Sequence, residues 1–357
     1  DALRSFRNGR DLSAFSVSLG TDSAATDVVD WVNVSNVNSY TFSDLNLQEA
    51  VTYYANVKAL DLAGNESEVV SGDGITIDQS GPIPGSISDG DAADIDWVNI
   101  NYLSVGNWTG FTDSLSGIGE YEYSLGLAPG QTQVVSWTSA ILDTAITVSA
   151  SLTEGPTYYA NVRAVDSVSN VGGLISSDGF GLDVSAPITG NVYDGLGDDL
   201  TWTNIIDSIW ANWEGFSDLY SGISFYETAV GTSPGGQNTV AWISADTNIT
   251  TSHAELSLEH GSTYYFSVRA TDVVENVSSP GTSNGITIDT LSPVINLMAE
   301  TSSDDPLFQG SDSSITLFWA ADDDLSGIEH YDYALGSSAG ESDLLPWTNA
   351  GTDLSIT

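Results

Sequence analysis

Carboxylates dominate the chemistry this chain could offer. Forty-nine of its 357 residues are Asp or Glu, against six Lys or Arg and three histidines, for a formal net charge of −43. Acidic side chains in such excess, with almost no ammonium or guanidinium groups to offset them, fit one chemistry best, the binding of a hard cation through oxygen ligands. They do not point to glycoside hydrolysis, which needs two carboxylates held at a fixed separation across a sugar. The histidines, His253, His260 and His330, form no pattern with a serine and an aspartate and read as solvent-facing side chains. No cysteine is present, which removes disulfides, thiolate nucleophiles and sulfur-ligated metals. No glycine-rich phosphate loop occurs either, so the chain reads as non-catalytic.

The same charge sets the choice of partners. A surface this acidic repels phosphate backbones, which argues against nucleic acid and anionic membrane as partners. No apolar run reaches the length of a membrane span. Disorder is the usual companion of high acidity, but 41% hydrophobic and 10% aromatic residues supply enough material for cores.

The elements that position these side chains follow from a repeat. Thr52-Tyr53-Tyr54-Ala55-Asn56-Val57-Lys58-Ala59 recurs as Thr157-Tyr158-Tyr159-Ala160-Asn161-Val162-Arg163-Ala164 and as Thr263-Tyr264-Tyr265-Phe266-Ser267-Val268-Arg269-Ala270, steps of 105 and 106 residues. Ser-Gly-Ile at 116–118, 221–223 and 326–328 keeps the period, as do Trp31, Trp137, Trp242 and Trp347. None of the histidines occupies a repeated position. The period divides the chain into residues 1–80 (a partial repeat with atypical N-terminal strands), 81–186, 187–292 and 293–357 (partial). Phe15–Gly20 matches Tyr121–Gly126, which places residue 1 partway into a repeat, and the last repeat stops before its Thr-Tyr-Tyr phrase. Arg4, Arg7 and Arg10 stand where a first Ser-Gly-Ile belongs. The expectation is an excerpt from a longer array. Its linkers, Asp78 to Pro82, Asp183 to Pro187 and Asp289 to Pro293, each run from an aspartate to a proline that stiffens the start of the next repeat.

Within a repeat, short alternating runs are broken by Gly, Asn, Asp and Ser clusters, the signature of strands and turns. In the strand from Tyr158 to Asp166, Tyr158, Ala160, Val162 and Ala164 share one face, and Tyr159, Asn161, Arg163 and Val165 the other. Upstream strands are expected around Trp108, over Ile118–Leu125, near Val134–Trp137 and over Ile146–Leu152, with Gly179–Asp183 closing the repeat. About seven strands per repeat give an all-β chain of tandem immunoglobulin-like sandwiches of roughly 105 residues each.

A Trp on the second strand, an Ile-x-x-Tyr strand after it, and Leu152 six residues before Tyr158 (as Leu47 before Tyr53 and Leu258 before Tyr264) resemble fibronectin type III domains. Phe216-Ser217-Asp218-x-x-Ser221-Gly222-Ile223, Ala164-Val165-Asp166-x-x-x-Asn170 and Ser177-Asp178-Gly179 resemble the fibronectin-like repeats of giant bacterial surface proteins and adhesins. The resemblance spans nearly the whole chain and speaks to fold more than to activity. It implies that Tyr53, Tyr158 and Tyr264 are tyrosine corners and that Trp108, Trp213 and Trp319 lie in the cores. It also implies cross-strand ion pairs, Arg163–Glu122 and Arg269–Glu227, on the outward sheet face, although an arginine that docks a partner is a second reading of Lys58, Arg163 and Arg269.

Carried onto this topology, the loop after the second strand and the loop after the sixth share the pole where the chain enters. Asp78 then meets Asp113, Asp166 and Asn170; Asp183 meets Asp218, Asp272 and Asn276; and Asp289 meets Asp323. Calcium at these joints would relieve the repulsion, whereas Asx-turns without metal would explain the same residues. No cofactor is required. Asp89, Asp91, Asp94 and Asp96 are expected at the opposite pole, facing the next repeat. Five Asn-x-Ser/Thr sequons, at Asn33, Asn65, Asn107, Asn248 and Asn276, carry little weight in so Asn- and Ser-rich a chain.

Two functions remain. One is a mechanical stalk or filament of an extracellular, cell-surface protein, whose partners are neighbouring repeats, further copies in a homo-oligomeric filament or a cell-surface target. The other is a carbohydrate- or protein-binding adhesin module using outward tyrosines such as Tyr54, Tyr159 and Tyr265.

Overall fold

The computed structural model describes residues 12–90, 93–100, 102–300, 307, 308, 310, 311 and 313–357, and among them every regular element is a β-strand. Arg4, Arg7, Arg10 and Asp91 lie outside the described residues. Among the described residues no helix is long and apolar enough to cross a membrane. The chain divides into two compact units, Asp1–Asp183 and Val184–Thr357.

The first unit contains one complete two-sheet sandwich. Its smaller sheet runs Ala145–Ser149, Tyr102–Thr109, Ser86–Ser88. Its larger sheet runs Val135–Ile141, Ile118–Gly126, Thr157–Asp166, Phe180–Leu182, with Ile175–Ser176 also on Thr157–Asp166. That order, one three-stranded sheet facing a four-position sheet with the last strand beside the Thr-Tyr-Tyr strand, is the fibronectin type III-like arrangement. The second unit repeats it strand for strand: Asn191–Asp194, Ile209–Glu214 and Thr250–His253 face a sheet of Val240–Asp246, Ile223–Gly231, Thr263–Asp272 and Ile286–Ile288, with Gly281–Thr282 also on Thr263–Asp272. The chain is an all-β array of tandem sandwiches.

Period-two alternation builds the cores. Ala160, Val162 and Ala164 are sealed from solvent, and Trp108 packs edge-on against Tyr121. In the second unit Trp213, Phe266, Val268 and Ile288 fill the same layer. Trp108 and Trp213 are both buried, as is Trp319, whose indole N–H donates to the Asp353 carbonyl at 2.8 Å.

Two features depart from seven simple strands. The closing strand breaks at Ser177-Asp178-Gly179, where Gly179 adopts φ 102°, a left-handed conformation that a Cβ disfavours. An added strand, Trp97–Val98, runs parallel to Gly181–Leu182, and Trp202–Thr203 does the same beside Thr287–Ile288. Two-residue strands leave no alternation for a sequence reading to find.

In the first segment, Leu12–Gly20, Val29–Asn33, Thr52–Asp61, Val70–Ser71 and Ile75–Thr76 make a single sheet, and among the described residues no facing three-stranded sheet accompanies it. Gly20 opposes Tyr54 as Gly126 opposes Tyr159, so the register of the repeat is kept. In the last segment Val294–Glu300, Leu317–Asp322 and Ser355–Ile356 form one sheet, and Asp332–Leu335 pairs with Leu345–Asn349 in another.

Candidate functional site: acidic joints and a cation–aromatic stack

The joint at Asp78 lies within the first unit. One carboxylate oxygen each from Asp78, Asp113 and Asp166 lies within 4.8 Å of the others. The loops that carry them bend through the aspartates themselves. Asp113 Oδ1 accepts the N–H groups of Leu115 and Gly117, and Asp166 Oδ1 accepts those of Val168 and Asn170. These are Asx-turns, in which a short carboxylate satisfies backbone donors two and four residues on. Asp166 is buried, which works against its charge, yet the Asn170 backbone and side-chain amides hold its pKa below the usual carboxylate value.

The linker is bonded into the sandwich that follows it. Asp78 Oδ2 accepts the Ser116 N–H at 3.0 Å, and the Asn170 amide donates to the Asp78 carbonyl at 3.1 Å. Ile83 and Thr112 exchange backbone bonds of 2.8 and 3.1 Å. Gly81 approaches the 171–172 turn so closely that a Cβ would stand 2.3 Å from the Val171 carbonyl oxygen.

The remaining predicted ligands occupy matching turns. Asp218 Oδ1 accepts from Tyr220 and Gly222, and Asp272 accepts from Val274 and from both amides of Asn276. Asp183 closes the first unit, whereas Asp218, Asp272 and Asn276 stand in the second. Asp289 Oδ2 accepts the Ser326 N–H at 3.1 Å, and Asp323 accepts from Leu325 and Gly327. Hydrogen bonding from Ser326 lowers the Asp289 pKa, and His260 beside it works in the same direction. His260 also contacts Asp324 at 3.1 Å and accepts the Thr290 N–H, so this joint carries a histidine that sequence reasoning left in solvent. His253 is likewise not solvent-facing: it is half-buried, stacked on Phe266 with ring centres 5.5 Å apart, and its pKa is lowered by burial. It stands one period after Val148, an apolar core position.

Asp89 and Asp94 stand near the Tyr158 end of the long strand, away from the Asp78 joint, but Asp89 does not face solvent. Asp89 is sealed inside the sandwich and accepts the Gly179 N–H at 3.1 Å across the break in the closing strand. Asp94 folds back to accept the Asp89 N–H.

On the outward sheet face, Arg163 opposes Glu122 in register and bonds it at 2.7 Å, and Arg269 does the same with Glu227. Each guanidinium also lies over a tryptophan from the strand beyond its glutamate's, Trp137 at 4.3 Å and Trp242 at 4.5 Å. Lys58 sits 4.6 Å over Trp31 and pairs with Glu66. The near-equal steps of Trp137 to Trp242 and of Arg163 to Arg269, 105 and 106 residues, were the available signal for this stack. The second tyrosines are not free platforms. The Tyr159 ring lies against Gly179, where a Cβ would come within 2.9 Å of it, and Tyr54 and Tyr265 lie likewise against Gly74 and Gly285. On the same outward face Asn161 is fully buried, holding Gln131 O, Ser124 Oγ, Ser176 Oγ and the Gly130 N–H.

The corners are explicit. Tyr53 accepts the Gln48 N–H at 2.8 Å, Tyr158 bonds both the N–H and the carbonyl of Thr153, and Tyr264 accepts the Glu259 N–H at 3.1 Å, each five residues upstream.

No protein-family model matches this chain. No curated protein matches it either. Among solved structures it is similar to the chicken CNTN1 FN1-FN3 domains, at 14% identity and TM-score 0.35 over 78% of this chain and 90% of that one. It is similar to the fibronectin(III)-like modules of Clostridium thermocellum CbhA, at 16% identity and TM-score 0.32 over 57% and 94%. Domains A168-A170 from titin give 14% identity and TM-score 0.38 over 78% and 99%.

Proposed function

We propose that this chain is a non-catalytic structural repeat region, a stalk or filament segment of a large extracellular, cell-surface protein that carries an adhesive or binding head away from the cell. The observation that carries this reading is the joint at Asp78. There a short linker is bonded to the next sandwich through Ser116, Asn170 and Thr112, and is packed too tightly at Gly81 to admit a side chain. Such a joint transmits orientation from one repeat to the next, the property a stalk needs and a string of independent modules lacks. The net charge of −43 keeps neighbouring copies apart in solution.

Calcium at Asp78, Asp113 and Asp166 belongs to the same reading, because the backbone donors occupy only part of the carboxylate oxygens. Commitment of Arg163 and Arg269 to Glu and Trp, and of the second tyrosines to glycine, weighs against the sugar- or protein-binding alternative. Small-angle scattering of the whole chain in calcium and in chelator tests the proposal. A stiff, elongated particle whose stiffness rises with calcium supports it. A profile of freely jointed beads in both conditions overturns the stalk reading, and a stiff particle indifferent to calcium overturns the metal alone.

A further inference from the structure

The interior aspartate of the complete sandwich in the first unit has an unfinished coordination shell. Asp89 has no solvent exposure; its Oδ2 accepts the Gly179 N–H, and its Oδ1 is buried with no hydrogen-bond partner. Two further carboxylates converge on it. Asp94 is drawn in by the Asp89 N–H at 3.1 Å, and Asp178 is set beside it by the break in the closing strand. One oxygen from each of the three lies within 4.8 Å of the others. No basic side chain answers them, since Arg163 and Lys58, the two described in this unit, are held by Glu122 and Glu66.

The second unit supplies an internal comparison. Asp194 is equally sealed, leaves its Oδ1 equally without a hydrogen-bond partner, accepts the Gly285 N–H at 3.0 Å, and is backed by Asp199 through a 2.9 Å bond from its own N–H. The third position differs. Asn284 replaces Asp178, and its amide donates to Asp199 Oδ2 at 2.9 Å, so the outer carboxylate is answered by a donor. Where the second unit places a hydrogen bond, the first places two facing carboxylates.

We infer that Asp89, Asp94 and Asp178 form a divalent-cation site inside the first unit's sandwich, with Ca²⁺ as its occupant, and that the Asn284 counterpart does not. Three hard oxygen donors without a nitrogen or sulfur ligand match calcium, whose irregular shell tolerates ligands from two loops and leaves room for water. The site is separate from the joint at Asp78 and stands whether or not that joint binds metal.

Hydrogen–deuterium exchange of the whole chain, with CaCl₂ or chelator at pH 7.5 in physiological salt, tests it. Calcium is expected to slow exchange at least tenfold over residues 86–98 and 177–182. Asp178→Asn, which copies the folded counterpart, should abolish that protection. Asn284→Asp should create it over 191–203 and 283–288. Protection at the joint would appear in different segments, 113–117 and 166–170, so the two sites are read independently. No calcium protection over 86–98, or protection that survives Asp178→Asn, overturns the inference.

Discussion

Arg163 lies 4.3 Å over the ring of Trp137 while its Nε holds Glu122 at 2.7 Å. One cation thus joins three adjacent strands of the larger sheet. A double-mutant cycle between Arg163 and Trp137 should give a coupling of about 0.5–1 kcal/mol. The Arg163–Glu122 coupling should be of similar size at low salt but fall as salt screens it. Equal salt sensitivity of the two couplings in denaturant melts would show that the ring contributes nothing.

Tyr158→Phe should destabilise its sandwich by about 1–2 kcal/mol, because the Thr153 N–H and carbonyl both lose their partner in a partly buried corner. Tyr159→Phe should be nearly silent, since the ring contact with Gly179 survives. Chemical denaturation of the two variants separates corner from surface, and equal losses would refute the assignment.

Asp194 links stability to pH. Burial pushes its pKa up to about 6 from 3.8, so between those values the folded state holds a proton that the unfolded state has released. Its contribution is therefore fully present below pH 4, is lost as pH rises through 6, and is flat beyond. Asp194→Asn should raise the stability of the second unit at pH 7 by up to roughly 3 kcal/mol and change little at pH 4. Melting curves at the two pH values check the sign.

His253 works the other way. Burial lowers its pKa below 6.5, so the folded state favours the neutral ring and stability falls as acid protonates the unfolded chain first. His253→Val, which copies Val148, should remove that acid sensitivity at no cost to stability at pH 8. A variant that melts well below the parent at pH 8 would show that the Thr228 contact at 3.1 Å outweighs the desolvation.

Gly81→Ala should leave both neighbouring sheets folded and loosen the joint between them, since its Cβ meets backbone rather than a flexible side chain. Exchange at Ser116 and Thr112 should quicken while the Val162 core stays protected. Slow exchange at all three would mean that the linker accommodates a methyl group.

Regular alternation explains what could be read in advance. Tyr158, Ala160, Val162 and Ala164 announce a buried face, and the repeat multiplies that signal. The Asp78–Asp113–Asp166 grouping was legible because each residue sits at a fixed offset from a repeated turn. The burial of Asp89 was not legible because nothing local distinguishes a buried aspartate from its turn-forming neighbours. Its burial depends on a gap in the closing strand ninety positions away. Asn161 and His253 escaped for a related reason. A polar residue at a strand position signals solvent, unless a distant loop, here residues 130–131, folds over it.

Trp97–Val98, the two-residue strand lying parallel to Gly181–Leu182, has a bearing on how such an array avoids self-entanglement. Tandem copies of similar sequence are prone to trading strands, and the outer border of the closing strand is where an intruder would zip on. Here that border is claimed by a segment fewer than ninety residues upstream in the same sandwich, before any neighbouring copy can reach it. The second unit guards itself identically with Trp202–Thr203. Each of the two complete sandwiches thereby seals its own seam against a cross-threaded tangle.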